Sequence, residues 1–331
     1  MTDGATADGL EAGAASLPAT SRVRTVFFGS GSFAVPVLEA LISMPGVQVE
    51  AVVSVPDRPV GRRAILTSTP VAARAVGLGL RLLQPARVRG AESLAALRAL
   101  APDLAVLADY GQLIPRGLIE LPPRGFLNLH PSALPRHRGA APIPATILAG
   151  DTSSAVTLML LTEEMDAGPI VAVEPVEVRP DDTAPILEAR AASTAARLIA
   201  RALPEWLAGQ LVARPQPVEG VTLTRPLRRQ DGLLDPKRSA EELERQVRAF
   251  QPWPGSYIET AAGRLIVWRA DVCPSEPGDS PETIVTQSDG LALSTASGRL
   301  RLDEVQLAGK RRVTGAELRH GHPGLAGSRW T

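Results

Sequence analysis

Three polar side chains that could share one reaction lie in two short segments of this 331-residue chain. The first segment, GFLNLHPSALPRHRGAAPI (residues 125–143), carries Asn128 and His130 two positions apart at the end of an apolar run. Alternation along a strand places both side chains on the same face. The second segment, LTEEMDAGPIV, carries Asp166 in a predicted turn between two strands. Ligands of open α/β sheets bind beyond the carboxyl ends of strands, so His130 lies where a site is expected.

These residue types fit the transfer of an acyl or formyl group to an amine. A histidine exchanges protons near neutral pH, an asparagine amide donates to a developing oxyanion, and a carboxylate orients the imidazole. No G-x-S-x-G elbow occurs, and the only cysteine, Cys273, lies far along the chain, so covalent catalysis lacks a candidate. A structural alternative stays open here: Asn128 and His130 could cap backbone groups, and Asp166 could bond its own turn.

The stretch FFGSGSFAVP has the G-x-G-x-x-A spacing of a dinucleotide-binding turn after an apolar strand. A full fingerprint also needs an acidic residue at the end of the second strand. Glu50 lies too early in VQVEAVVSV, and Asp57 follows the strand. We therefore interpret Gly29 and Gly31 as a tight strand-to-helix turn at one wall of a substrate cleft, without a nicotinamide cofactor.

The order of predicted elements indicates two domains after a disordered tail at residues 1–22. Apolar runs alternate with helical patterns over residues 23–208, which predicts an α/β fold: a Rossmann-like, mainly parallel twisted sheet with helices on both faces. Residues 209–226 carry prolines without a clear period and are interpreted as a linker. Short β-like runs in residues 227–331 predict a small β-barrel of the oligonucleotide-binding (OB-like) kind.

The composition limits the classes of protein that need consideration. The formal net charge is zero and the sequence pI is about 6.9, so any nucleic-acid binding must come from local patches. A single cysteine excludes a disulfide framework and a multi-thiolate metal site, and it suits a reducing cytoplasm. No apolar run approaches the ~20 residues that a membrane-spanning helix needs.

The motifs resemble those of a known family. NLHPSALPRHRGAAPI followed by LTEEMDAGPIV resembles the signature of the formyltetrahydrofolate-dependent formyltransferases. AEELERQVRAFQPWPGSYIE and VQLAGKRRVTGAELRHG are similar to the C-terminal domain of its tRNA-formylating members, which is OB-like. The resemblance implies that Asn128, His130 and Asp166 form a catalytic trio. It also implies 10-formyltetrahydrofolate as the donor, and as the acceptor the α-amine of methionine on initiator tRNA, the reaction that precedes translation initiation. Neither a metal nor a nicotinamide is implied, and a monomer is the family's default.

The resemblance also assigns binding residues. ADYGQLIP resembles the family's pterin loop, and SALP resembles its S-L-L-P except at Ala133, which implies folate contacts by Tyr110, Gly111, Ser132, Ala133, Leu134 and Pro135. PDRPVGRRAILTSTPVA resembles the loop that enters the tRNA acceptor stem. Together with basic clusters in the second half, it implies tRNA contacts by Arg58, Arg62, Arg63, Arg228, Arg229, Lys310, Arg311 and Arg312. The sequence departs from the family at Asp109, where an apolar residue is usual, and at Ala64, Ile65 and Ala72, where lysines are frequent.

Alternative functions remain at this point. A sugar-amine N-formyltransferase or a formyltetrahydrofolate hydrolase would use the same Asn, His and Asp. A nicotinamide oxidoreductase is supported only by the glycine turn. A non-enzymatic RNA-binding protein would be expected to have lost the trio, which is intact here.

Overall fold

The computed structural model describes residues 22–60 and 64–331. The predicted N-terminal tail, except for its last residue, lies outside the described residues, and so do Arg62 and Arg63 of the predicted tRNA loop. The predicted fold, an α/β domain followed by a strand-rich domain, is confirmed.

The first domain is built on a seven-stranded sheet in the order β10-β9-β7-β6-β1-β2-β5. The strands of this domain are β1 (Val23–Gly29), β2 (Val47–Val53), β3 (Arg58–Val60), β4 (Ile65–Thr67), β5 (Leu82–Leu83), β6 (Leu104–Ala108), β7 (Phe126–His130), β8 (Arg138–Gly139), β9 (Ser153–Leu160) and β10 (Ile170–Glu177). Strands β1, β2, β5, β6 and β7 run parallel, whereas β9 lies antiparallel to both β7 and β10. The short pairs β3–β4 and β8–β11 form separate ribbons, β11 being Leu223–Thr224.

Helices cover both faces of this sheet because its central strands are apolar on both sides. The helices are α1 (Ala34–Ser43), α2 (Pro70–Gly77), α3 (Ala91–Ala99), α4 (Arg116–Ile119), α5 (Pro142–Ala149) and α6 (Ala184–Leu207). Phe27 of β1 packs into a core with α1 and α6, and the next residue, Phe28, packs into a second core with Leu97 of α3 and Leu118 of α4. A strand buried on both faces is typical of a parallel sheet.

The second domain is an antiparallel sheet in the order β12-β13-β16-β15-β14, with β17 on β16. Its elements, preceded by β11 (Leu223–Thr224), are α7 (Ala240–Ala249), β12 (Ser256–Thr260), β13 (Gly263–Cys273), β14 (Ile284–Gln287), β15 (Gly290–Ser294), β16 (Arg299–Leu307), β17 (Val313–Thr314) and α8 (Gly315–Gly321). Helix α7 begins with a capping box: the Ser239 hydroxyl accepts from the Glu242 amide, and the Glu242 carboxylate accepts from the Ser239 amide. Its apolar face, including Leu243 and Val247, closes the core of this domain.

The described residues contain no helix that is both long and apolar enough to cross a bilayer. Within the same residues, no group of three or more His, Cys, Asp and Glu side chains is arranged to hold a metal ion.

Candidate functional site

Asn128 and His130 lie at the carboxyl end of β7, a strand that is buried along its whole length. The strand register pairs Asn128 with Leu107 of parallel β6 on one side and with Met159 of antiparallel β9 on the other. The Asn128 and His130 residues are only 4% and 5% exposed. Because β7 is central in the sheet, these two polar side chains need partners, and both find one in the same carboxylate.

That carboxylate belongs to Asp166, in the turn between β9 and β10. Its backbone has a φ of 52°, in the left-handed region that Asp adopts more readily than most residues. The Asn128 Nδ2 amide donates to Asp166 Oδ1 at 3.4 Å, and His130 Nδ1 lies 3.6 Å from Asp166 Oδ2. The Gly139 backbone N–H donates to the same Oδ2 at 2.8 Å. The structure therefore brings the three predicted residues together, and Asp166 contacts other segments rather than its own turn.

The other nitrogen of His130 determines the orientation of the ring. His130 Nε2 lies 3.0 Å from the backbone carbonyl oxygen of His137, which can only accept. The proton of the neutral imidazole is thereby assigned to Nε2, which leaves the lone pair of Nδ1 facing Asp166. This nitrogen is therefore an unprotonated acceptor beside a carboxylate.

His137 contacts His130 and is absent from the residues predicted from the sequence. It is buried and has a φ of 59°. Its Nε2–H donates to Asp151 Oδ2 at 2.9 Å, and its backbone N–H donates to the Thr222 hydroxyl at 2.7 Å. These two contacts hold the carbonyl that orients His130. In the sequence it is visible only as the histidine of PRHRG, because its partners are distant along the chain.

Gly139 must be a glycine for two reasons. Its φ of 110° is strained for any residue with a side chain, and an added Cβ would lie 2.1 Å from the Thr224 carbonyl oxygen. The strand pair β8–β11 brings this carbonyl close. The Gly139 N–H that reaches Asp166 is therefore set by contact with the segment between the domains.

The predicted folate residues fall into two groups. Tyr110 and Gly111 follow β6: the Tyr110 ring packs edge-on against Phe28 with ring centroids 5.6 Å apart, and burial raises the pKa of its hydroxyl. Among the described residues, that hydroxyl has no hydrogen-bond partner. The remaining four residues, Ser132 to Pro135, form the loop after β7. Ser132 is fully buried, and its hydroxyl donates to the Arg136 carbonyl at 2.6 Å, so it holds the loop itself.

Asp109 lies directly after β6 with a φ of 46°. Its carboxylate covers Gly31 so closely that a Cβ added to Gly31 would lie 1.7 Å from Oδ2. The Ser32 hydroxyl, next along the chain, donates to the Glu188 carboxylate of α6. Loss of surrounding water and the negative charge of Glu188 raise the pKa of Asp109 to about 6, against a smaller opposing effect of the Gly31 N–H. Two acidic side chains therefore flank the glycine turn.

The predicted tRNA residues within the described chain lie on three separate segments. Arg58 is exposed on β3, Arg228 and Arg229 are exposed at the 3₁₀ turn Arg229–Gly232, and Lys310 to Arg312 are exposed between β16 and β17. Two of these cations have partners in the protein. Arg311 pairs with Glu317 at 3.2 Å, and the Arg312 guanidinium lies 3.7 Å from the centroid of the Trp268 ring.

Both domains match known protein families. Residues 22–203 match the formyl transferase family, and residues 226–323 match the family described as formyl transferase, C-terminal domain. A methionyl-tRNA formyltransferase of Halorhodospira halophila is 42% identical over 299 residues, which are 90% of this chain and 96% of that protein. One from Thermus thermophilus is 42% identical over 309 residues, 93% and 99% of the two chains.

Solved structures share the fold at low identity. The N-formyltransferase of Helicobacter canadensis, in complex with folinic acid and dTDP-3-aminofucose, has a TM-score of 0.62 and 16% identity over 88% of this chain and 100% of its own. HypX of Aquifex aeolicus in complex with tetrahydrofolic acid has a TM-score of 0.57 and 15% identity. The match spans 90% of this chain and 47% of HypX, so the present chain corresponds to about half of that protein.

Proposed function

Because this chain belongs to the formyl transferase family, we propose that it transfers the formyl group of 10-formyltetrahydrofolate to the α-amine of methionyl initiator tRNA. The observation that carries the chemistry is the position of one carboxylate, Asp166, within 3.6 Å of both Asn128 and His130. The acceptor is supported by the curated relatives, named methionyl-tRNA formyltransferases, whose similarity extends through the second domain.

Each residue of the trio has one role in the proposed reaction. Asn128 Nδ2–H donates to the formyl oxygen as the oxygen gains negative charge in the tetrahedral intermediate. His130 accepts the proton that the attacking amine loses, at Nδ1, and returns it to the folate nitrogen when the carbon–nitrogen bond to the folate breaks. Asp166 stabilises the imidazolium between these two steps. The proton taken from the amine is thus the one that the leaving group receives.

The two substrates are assigned to surfaces around this site. The loops that contain Tyr110, Gly111 and residues 132–135 would receive the folate. The tRNA would contact Arg58, Arg62 and Arg63 of the loop after β2, together with Arg228, Arg229 and residues 310–312. The exposure of the described cations supports this assignment. Because Arg311 and Arg312 already have protein partners, we expect them to contribute less to binding than Arg58. A cytoplasmic location is supported by the single cysteine.

The test compares acceptors with one donor. Purified protein and 10-formyltetrahydrofolate are incubated with methionine-charged initiator tRNA, methionine-charged elongator tRNA, a nucleotide amino sugar, or no acceptor. We expect formylmethionine on the initiator tRNA only. Transfer to the sugar, or release of formate without an acceptor, would replace the proposal with a sugar-amine N-formyltransferase or a hydrolase.

A further inference from the structure

The segment between the two domains, predicted from the sequence as residues 209–226, contacts the proposed active site at several points. Arg214 and Ile170 exchange backbone hydrogen bonds of 2.7 and 2.8 Å, just after the turn of Asp166. Farther along, β11 pairs with β8, which carries Arg138 and Gly139. The segment therefore touches both chain regions that surround the Asp166 carboxylate.

Gln216 joins these two regions with a single side chain. Its Nε2 amide donates to the carbonyl oxygens of Asp166 and Gly168, each at 2.8 Å. Its Oε1 accepts from Arg138 Nε at 3.0 Å and from Arg138 Nη2 at 2.8 Å. Both donor hydrogens and the acceptor oxygen of the amide are thus used. The position therefore requires an amide side chain, which supplies two donor hydrogens and an acceptor oxygen.

These bonds fix the catalytic carboxylate from both sides. Asp166 has a strained backbone, with a φ of 52°, and Gln216 holds its carbonyl. On the other side, Gln216 holds Arg138, whose neighbour Gly139 donates its N–H to Asp166 Oδ2. The distance of 3.6 Å between Asp166 and His130 Nδ1 depends on both regions keeping their places.

Thr222 provides a second, independent contact from the same segment. Its hydroxyl oxygen accepts the His137 backbone N–H at 2.7 Å, and its carbonyl accepts the Arg138 N–H at 3.0 Å. The His137 carbonyl, in turn, accepts His130 Nε2–H. Gln216 therefore acts on the Asp166 side of the imidazole, and Thr222 acts on the opposite side.

We propose that Gln216 and Thr222, outside the catalytic trio, are positioning residues for transfer: they orient Asp166 and His130 without touching the reacting atoms. This inference rests on the proposed function for its kinetic readout. It makes the segment between the domains part of the active site, because displacement of that segment changes the geometry of the trio. A misplacement of about 1 Å can lower turnover about 100-fold.

The experiment removes the contacts of one side chain at a time. Gln216→Glu keeps the shape and the acceptor for Arg138, removes both donors to the Asp166 turn and adds a negative charge there. Thr222→Val removes the hydroxyl, and Thr222→Ser restores it. Val218→Ala is the matched control, because Val218 lies in the same segment and is 92% exposed. We expect kcat to fall about 10- to 100-fold in Gln216→Glu and Thr222→Val, with KM for tRNA within about twofold.

A second readout requires no substrate. The chain has four histidines, so the imidazole ¹⁵N signals of His130 can be assigned by comparison with His130→Gln. We expect the Nε2–H tautomer in the wild type, in Val218→Ala and in Thr222→Ser, and a mixture of tautomers in Thr222→Val and Gln216→Glu. If kcat and the ¹⁵N signals are unchanged in both Gln216→Glu and Thr222→Val, the inference is overturned. A loss of kcat that is explained by a lower Tm would overturn it as well. An inactive wild-type protein with normal His130 signals would instead refute the proposed function.

Discussion

Replacing Asp109 by Asn should make the protein more stable at neutral pH. Loss of surrounding water over the glycine turn and the negative charge of Glu188 raise the pKa of Asp109 to about 6, and the Gly31 N–H lowers it by a smaller amount. An unfolded chain has an Asp pKa of about 3.9. Between these two values the folded protein binds more protons than the unfolded chain, so its stability falls as the pH rises from about 4 to about 6. Asparagine suits the left-handed backbone at this position and carries no charge.

The magnitude follows from the pKa difference and from solvent exposure. A difference of about two units corresponds to about 3 kcal/mol at pH values above 6. Asp109 as a whole residue is exposed, although its carboxylate contacts Gly31. Solvent therefore screens part of the effect. We expect the gain in the free energy of unfolding for Asp109→Asn at pH 7.5 to be about 1 kcal/mol. Below about pH 4 both proteins are neutral at this position, and the difference should vanish.

The assay is urea unfolding of wild type and Asp109→Asn at intervals from pH 4 to pH 8. The difference in the free energy of unfolding should grow across pH 4 to 6 and then stay constant. Glu188→Gln is the control: it removes the weaker of the two causes, so the pH dependence should shift to lower pH but persist. A difference that does not vary with pH, or a wild type more stable than the variant at pH 7.5, would refute the reasoning.

Two further predictions concern the trio and its support. Asn128→Ala should lower kcat about 10²- to 10³-fold, the usual effect of removing an oxyanion donor, and retention of wild-type kcat in a folded variant would disprove the assigned role. Gly139→Ala should lower the free energy of unfolding by about 2–4 kcal/mol, because its Cβ meets the Thr224 carbonyl at 2.1 Å and its backbone has a φ of 110°. Thermal unfolding measures this loss, and a Tm equal to that of Gly79→Ala, whose added Cβ meets nothing within 4 Å, would argue against the clash.

The order of the elements could be predicted from local patterns. The apolar run at β1 and the helical pattern at α1 each depend on neighbouring residues, and the structure contains both elements. The direction of each strand relative to its neighbours could not be predicted from these patterns. The runs that became β9 and β10 were predicted as strands, but an apolar pattern does not specify whether a strand lies parallel or antiparallel to its neighbour, and both are antiparallel here.

The sequence by itself determined the pair Asn128 and His130, because a spacing of two on a strand is a local property that survives any tertiary arrangement. It also pointed to Asp166, through the resemblance of the surrounding motif. Only the tertiary structure decided what holds these side chains. His137 reaches Thr222 across 85 positions, and Gln216 reaches Asp166 across 50. Such contacts leave no periodic trace in the sequence, since their geometry arises when separate segments pack together.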